Sequence, residues 1–476
     1  MSLTDKSELE SIKAHIEDHK GVLTHNNMLF NIMEGDLLTF VLADLKQQLS
    51  ARSFEIVKQR VAPINVLIKI VDKLSQIYTI PPTRLTVNKS SSDQAIVDCW
   101  LKRYNWDQKM NLSNENFNTY KNTWIEPIIV DGKVKIKSIP ADRFLMYSNK
   151  LIDKTEPTHL IKFLGSVPKD DRTVDIISIT TADEFTIVDE DLDRQDQMLI
   201  ALENPEGINK FGTLPGVYMN RSHNLLVPKA DSDTAKMTKL IPVLLSDLNY
   251  AVMFQAFSII WGIDVNDENL KMAPNAFWRF KSDNKGVGEK KPQIGMIKPE
   301  VDIDQVLNLI GTLLSLWLQS KNIRPGSIGK LSVENFASGI SKMVDEMDTF
   351  EDRQKQVRFF KPAEEELWNV KIAKHMQPVW AKEGAIDDEE CAKQFSSEFE
   401  LGVNFVDQRP MFNRTEVLDE VDKEISLGIL DRKRAAQRVN PTKSEKEIDQ
   451  MLADVDTDRT VTLEGEDGDN DNGDDE

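Results

Sequence analysis

His15 and His19 stand four residues apart in a helical pattern, the spacing at which two imidazoles reach one metal ion from a single helix face. Metal-assisted hydrolysis further needs a glutamate directly after the first histidine to act as general base. Ile16 holds that place and Glu17 comes one residue later on another face, so the pair reads as part of a solvated helix. Gly329-Lys330 resembles the end of a phosphate-cradling loop. That loop needs glycine where the chain has Arg324 and a hydroxyl where it has Leu331, so both ends fail. The acids at 387–390 suit the start of a solvated helix, where the dipole favours negative charge. No Gly-x-Gly-x-x-Gly follows a strand pattern, and no Gly-x-Ser-x-Gly occurs. The chain is therefore read as non-enzymatic, with no cofactor and no metal.

The elements that would carry any function are clearer than the chemistry. Residues 9–19 read as a polar surface helix. The stretch 34–78 has helical periodicity, with Leu37, Leu38, Val41, Leu42 and Leu45 on one face, and Pro81-Pro82 ends it. A further helix is expected over 90–109. From 123 to about 218 the period changes to two, in short β-branched runs, and Asp131-Gly132 supplies a hairpin turn. Two apolar helices follow, 242–262 and 303–320. The first is announced by Asp231-Ser232-Asp233, with Pro242 in its first turn. Between them lies a mixed insert, 264–302, and after them a Gly- and Pro-containing basic loop, 321–338. A long charged helix starts near Gly339 and should kink at Pro362. Two or three short helices close the chain, with capping boxes at Asn413/Glu416 and Thr442/Glu445, Gly428 as a C-cap and Asp431 as the next N-cap. The fold class is α+β, mainly helical.

At 476 residues the chain exceeds one ordinary core, so two to four modules are expected. The net charge is −20, and the last 13 residues supply eight of those negative charges, leaving twelve on the rest. A chain this acidic is no general nucleic-acid binder, because phosphate affinity needs clustered Lys and Arg. An acidic wall can still let DNA slide past by repelling it. The tail 461–476 has Val461 and Leu463 at its head and no apolar residue in the acidic run 464–476, so it is expected to be disordered. Cys99 and Cys391 are far apart in sequence and lack metal spacing, which argues against a disulfide framework and fits a reducing cytoplasm. The opening MSLTDKSELE lacks the apolar run of a secretory signal. The two apolar rods carry Asp247, Asn249 and Gln255 in one case, and Asp304, Gln305, Asn308 and Gln319 in the other, so a membrane span is not expected. Helices apolar nearly all round are usually buried between neighbours, and copies of the same chain in a ring would supply the cover.

Four stretches, in order, resemble the portal protein (head–tail connector) of tailed bacteriophages. The first is RVAPINVL at 60–67, running into VDKLSQIY at 71–78 and then Pro81-Pro82. The second is FGTLPGV at 211–217, followed by Ser232-Asp233 and by 240–249. The third is Ser338-Gly339-Ile340-Ser341 at the head of the charged helix, with Ser341 where the family has alanine. The fourth is the pattern Gly428, Asp431, Asn440-Pro441-Thr442. The family's Tyr-x-Gly near the start is replaced by Ile32-Met33-Glu34-Gly35. The resemblance covers about residues 30–455.

This resemblance implies a ring of twelve subunits at one capsid vertex, in the virion and in the host cytoplasm during assembly. It divides the chain into N-terminal helices and a β-rich wing (1–230), a first stem helix (231–263), a clip (264–302) and a second stem helix (303–320). A tunnel loop (321–338), a long wing helix (339–385), a helical crown (386–460) and the acidic tail (461–476) complete the assignment. Lys321, Arg324 and Lys330 of the tunnel loop would touch double-stranded DNA without reading its sequence. Leu244, Leu248, Phe257, Leu313, Leu314 and Trp317 would pack the stem. Implied partners are the terminase motor, the major capsid and scaffold proteins, and head-completion or tail adaptor proteins, with no membrane. The competing expectation is a cytoplasmic helical scaffold or interaction protein without catalytic activity, whose apolar rods would be buried within one chain.

Overall fold

A computed structural model of the chain describes residues 3, 5–169, 172–257, 259–263, 293–297, 302–323, 339–405, 414–440, 448–453 and 455. Residues 324–338 of the expected loop 321–338, Asn413 of the first capping box, the whole of the second and the acidic tail lie outside them. About 52% of the chain is helical and 17% strand, an α+β architecture that is mainly helical. Two compact units are formed, residues 1–335 with 351–406, and residues 336–350 with 407–476.

In the larger unit, α1 (Lys6–Met33) starts at Asp5, whose carboxylate accepts the Ser7 N–H at 3.1 Å. It is far longer than the expected 9–19, because Leu29 and Ile32 continue the stripe begun by Ile12, all three fully buried. His15 and His19 are half-buried rather than solvated, since α1 lies over the β-sheet. His15 Nε2 donates to the Met146 carbonyl at 3.0 Å and His19 Nδ1 to the His15 carbonyl at 2.9 Å. Burial, and then His19, hold the His15 imidazole below its usual pKa. The expected helical region 34–78 becomes α2 (Leu37–Gln48), α3 (Ala51–Val57) and α4 (Val66–Leu74), with Leu37, Val41 and Leu45 buried as their spacing requires.

After β1 (Thr83–Thr86), the helix expected over 90–109 is split into α5 (Ser91–Arg103) and α6 (Trp106–Tyr120). Asn105 takes φ +49°, a left-handed conformation that asparagine tolerates, and this breaks the run. The period-two region forms β2 (Asn122–Val130), β3 (Lys133–Ile139), β4 (Phe144–Tyr147), β5 (His159–Lys169), β6 (Arg172–Thr180), β7 (Phe185–Asp189), α7 (Asp196–Ala201) and β8 (Val217–Asn220). They make two antiparallel sheets of order β3-β2-β8 and β4-β5-β6-β7. Asp131 and Gly132, at φ +52° and +66°, join β2 to β3, with Val130 opposite Lys133.

Two helical rods follow, α8 (Ser232–Phe257) and α9 (Ile303–Ser320). The rod expected at 242–262 is shifted. Pro242 sits inside α8, where its ring removes the N–H that would meet the Thr238 carbonyl. The helix also stops at Phe257, and the β-branched run after it forms β9 (Ile259–Ile263), paired antiparallel with β10 (Gln293–Ile297) of the insert. The second rod has the expected bounds. Then come α10 (Gly339–Glu366), a π-helical stretch (Leu367–Met376) and α11 (Gln377–Glu383). Pro362 is accommodated inside α10, and the backbone widens to π geometry five residues later.

The acids at 387–390 do not open a helix. Asp388 accepts the N–H groups of Glu390 and Cys391 at 3.0 and 3.1 Å and pairs with Arg103, so it shapes a turn. Residues 386–406, expected with the C-terminal helices, instead pack into the larger unit, where β11 (Leu401–Asn404) pairs antiparallel with β1.

The main core gathers Trp100, Trp106 and Phe117 from α5 and α6 with Phe360, Trp368 and Trp380 from α10, the π stretch and α11. Trp106 and Trp368 lie 4.3 Å apart by ring centroid. At the edge of this core the two cysteines meet, against expectation: Cys99 and Cys391 form a disulfide with Cα atoms 5.6 Å apart across 292 residues of sequence. Their meeting follows from packing, since Trp100 Nε1 donates to the Cys391 carbonyl at 2.9 Å. A bond closing so long a loop restricts the unfolded chain most. Reduction is expected to lower unfolding stability by about 2–4 kcal/mol. Urea unfolding with and without a phosphine reductant checks this, and a Cys391→Ser variant should then be insensitive to the reductant.

The smaller unit contains α12 (Arg414–Ser426) and α13 (Arg432–Val439). Gly428, at φ +70°, donates its N–H to the Ile425 carbonyl at 2.9 Å, and the Asp431 carboxylate accepts the Arg434 N–H at 2.7 Å, both in their expected capping roles. Arg438 pairs with Glu424 across the two helices at 2.5 Å.

Candidate functional site

The rod pair α8/α9 carries an apolar surface that the described residues cover only in part. Along α9, Ile310, Leu314, Trp317 and Leu318 follow the i, i+4, i+7, i+8 pattern of one helix face and are buried. Leu314, Trp317 and Leu318 pack with Val66 and Ile70 of α4, Ile241 of α8 and Ile323. Trp317 Nε1 is buried in that contact and finds no hydrogen-bond partner among the described residues. A second face of α9 is open: Leu309 and Leu316, seven residues apart, are 54% and 59% exposed. Leu307, two turns before Leu314 on the buried stripe, is also exposed, as is Val252 on α8.

The expected stem residues therefore divide. Leu314 and Trp317 are buried within the chain rather than held for a neighbouring copy. Leu244, Leu248 and Leu313 are half-buried. Phe257 is the last residue of α8, and its side chain lies outside the described residues.

The three bases divide as well. Arg324 and Lys330 lie outside the described residues. Lys321, at the C-terminal end of α9, does not stand free for a ligand. Its ammonium reaches Asp231 at 2.8 Å and Asp233 at 3.1 Å, at the start of α8. Lys121 holds the other Asp231 oxygen at 2.5 Å. Burial raises the Asp231 carboxyl, but hydrogen bonds from Lys121 and Lys321 outweigh it and hold its pKa below the usual value. Lys321 thus ties the end of one rod to the start of the other. Asp231 and Asp233 were legible only as a helix-start signal, and their pairing with Lys321 bridges 90 and 88 residues.

A second polar centre has no sequence signature. Arg84, on β1, is buried and donates from Nε to Glu364 Oε1 at 2.6 Å and from Nη2 to Asp107 Oδ1 at 2.7 Å. Glu364 is fully buried on α10 and also accepts from Trp106 Nε1 at 2.8 Å and Tyr78 Oη at 2.9 Å. Burial opposes the Arg84 charge, but Glu364 and then Asp107 more than offset it and hold the guanidinium above its ordinary pKa. Burial, and then Glu364, raise the Tyr78 hydroxyl. Arg84, Glu364, Trp106 and Tyr78 are thus engaged with one another and with Asp107 in a single buried network. Its chemistry is that of a structural anchor between α10 and the β1/α6 region.

Among the described residues, no helix is long and apolar enough to cross a membrane. The chain matches no protein-family model and no curated protein.

Proposed function

We propose that this chain is a portal-type subunit, a structural protein whose copies form a ring-shaped channel for double-stranded DNA at one capsid vertex and which has no catalytic activity of its own. The observation that carries the reading is the divided surface of the rod pair. One stripe of α9 is spent within the chain, while Leu309 and Leu316 present a second apolar face to solvent. A soluble chain that leaves such faces open along a rod is suited to cover them with a partner, and adjacent copies supply identical rods. The β9–β10 pairing, which joins the inner ends of α8 and α9, supports the assignment of the insert to a clip. The order of the four sequence stretches supports the same family. Copies arranged this way would serve head assembly, genome packaging, ejection and tail attachment. They would work with a separate terminase motor, capsid and scaffold proteins, and tail adaptors.

The test is the native mass of the purified chain together with its appearance in negative stain. A ring-shaped particle near twelve times the 54.2 kDa chain mass is expected. A monomer or dimer under all conditions would overturn the reading and favour a helical scaffold protein. Within an assembled ring, Arg324→Ala with Lys330→Ala is the cleaner probe of DNA contact, because Lys321 is already engaged with Asp231 and Asp233. That variant should assemble normally and alter DNA packaging or retention. Normal packaging would remove the DNA role of those two bases.

A further inference from the structure

The loop between β4 and β5 carries Leu151 and Ile152, which are 91% and 101% exposed. No other adjacent pair of large aliphatic side chains among the described residues is so completely bare. The loop is nonetheless built rather than slack. At its base the Thr158 N–H donates to the Tyr147 carbonyl at 3.0 Å and the Asn149 N–H to Thr158 Oγ1 at 3.1 Å. Asn149 Nδ2 donates to Glu8 on α1 at 3.2 Å. Near the tip the Asp153 carboxylate accepts both the N–H and the hydroxyl of Thr155, at 2.9 and 2.6 Å, and Lys150 pairs with Glu156. A loop held in this way presents its Leu-Ile tip as a fixed knob.

The same sheet carries a matching hollow. A cleft of about 320 Å3 opens along β7, lined by Leu3, Leu9, Phe185, Val188 and Ile208 together with the charged Glu184, Arg194 and Glu206. Ile208 is half exposed in it. Sheet topology fixes where knob and cleft stand. The strand order is β4-β5-β6-β7, so the loop leaves one edge and the cleft lies along the other. Tyr147 pairs with His159, Leu160 with Thr180, and Thr180 with Phe185, so both features stand at the same end of the sheet. Two copies placed side by side in one orientation therefore bring the knob of one to the cleft of the next.

We propose that the Leu151-Ile152 knob of one copy seats in the Leu3/Leu9/Phe185/Val188/Ile208 cleft of its neighbour, a head-to-tail contact between copies of this chain. Charge selects the same occupant. With Asp153 engaged by Thr155 and Glu156 by Lys150, Lys154 is the exposed charge left at the tip. At the cleft Arg194 is engaged by Asp196 and the Pro205 carbonyl, which leaves Glu206 as an exposed acid to meet Lys154. A knob and a cleft on different surfaces make a heterologous interface, which gives a ring when the rotation closes and a filament when it does not. The closure, though not the contact, rests on the portal reading.

Thiol cross-linking decides the matter, with Ile152→Cys and Ile208→Cys in the full chain and a short bismaleimide as the linker. The double variant should give a ladder of covalent oligomers. A mixture of the two single variants should stop at dimers, and neither single variant should link to itself. Charge exchange gives an independent readout: Lys154→Glu should weaken assembly by about tenfold in midpoint concentration, and adding Glu206→Lys should restore it. Rings by native mass without a ladder would overturn this contact and leave the portal reading standing. A ladder on open filaments would support the contact and overturn the ring. A monomer at every concentration would overturn both, and a symmetric Ile152→Cys dimer would replace this contact with a two-fold one.

Discussion

Replacing Glu364 with alanine is expected to destabilise the larger unit by about 3–5 kcal/mol, the range found when one partner of a buried ion pair is removed. The carboxylate is fully buried and accepts from Arg84, Trp106 and Tyr78. Without it, a guanidinium whose side chain is 1% exposed keeps only Asp107 and a long contact to the Pro82 carbonyl at 3.4 Å. Two other donors are left buried without acceptors, each costly in itself. Urea unfolding followed by circular dichroism gives the number. The double variant Arg84→Met with Glu364→Leu should recover much of the loss, because it removes the stranded charge with its partner. A loss below about 1 kcal/mol for Glu364→Ala would mean that the centre is wetter and looser than its geometry implies.

In the proposed ring, Leu309→Asp with Leu316→Asp should convert the assembly to monomers while leaving helix content and unfolding midpoint nearly unchanged. Both positions are more than half exposed in the single chain, so a carboxylate there stays hydrated until a second copy covers it. Covering an unpaired carboxylate costs several kcal/mol, enough to shift assembly by a few orders of magnitude in concentration. Leu314→Asp behaves differently. Leu314 is 7% exposed and packed on α4 and α8, so its charge would be buried on folding and the variant should lose stability before any question of assembly arises. The two variants together separate the face used inside the chain from the face left outside it. A Leu309/Leu316 variant that still forms intact rings would place the intersubunit contact elsewhere.

Sequence pattern was informative where the determinants were local. The Asp131-Gly132 turn, the Leu37/Val41/Leu45 stripe, the bounds of α9 and the Gly428 and Asp431 caps each depend on residues within one or two turns of one another. It misled where an apolar run suited two structures: residues 259–263 continue the hydrophobicity of α8 but pair with 293–297, and periodicity cannot see a partner across an insert. It was silent where contact is made by the fold alone. Nothing near Arg84 announces Glu364, 280 residues away, and nothing near Cys99 announces Cys391. The same holds for the rods. Apolar residues on most faces of α9 foretold burial, but only packing against α4 shows which of them a single chain already covers.

The Cys99–Cys391 bond also decides what happens to a damaged chain. The covalent loop it closes runs through both sheets, both rods and the whole of α10. A protease that cuts the backbone anywhere within that loop, including the insert between β9 and β10, leaves the two pieces joined at the core edge. An oxidised chain nicked in this way keeps its full mass, whereas a reduced one holds its pieces by packing alone.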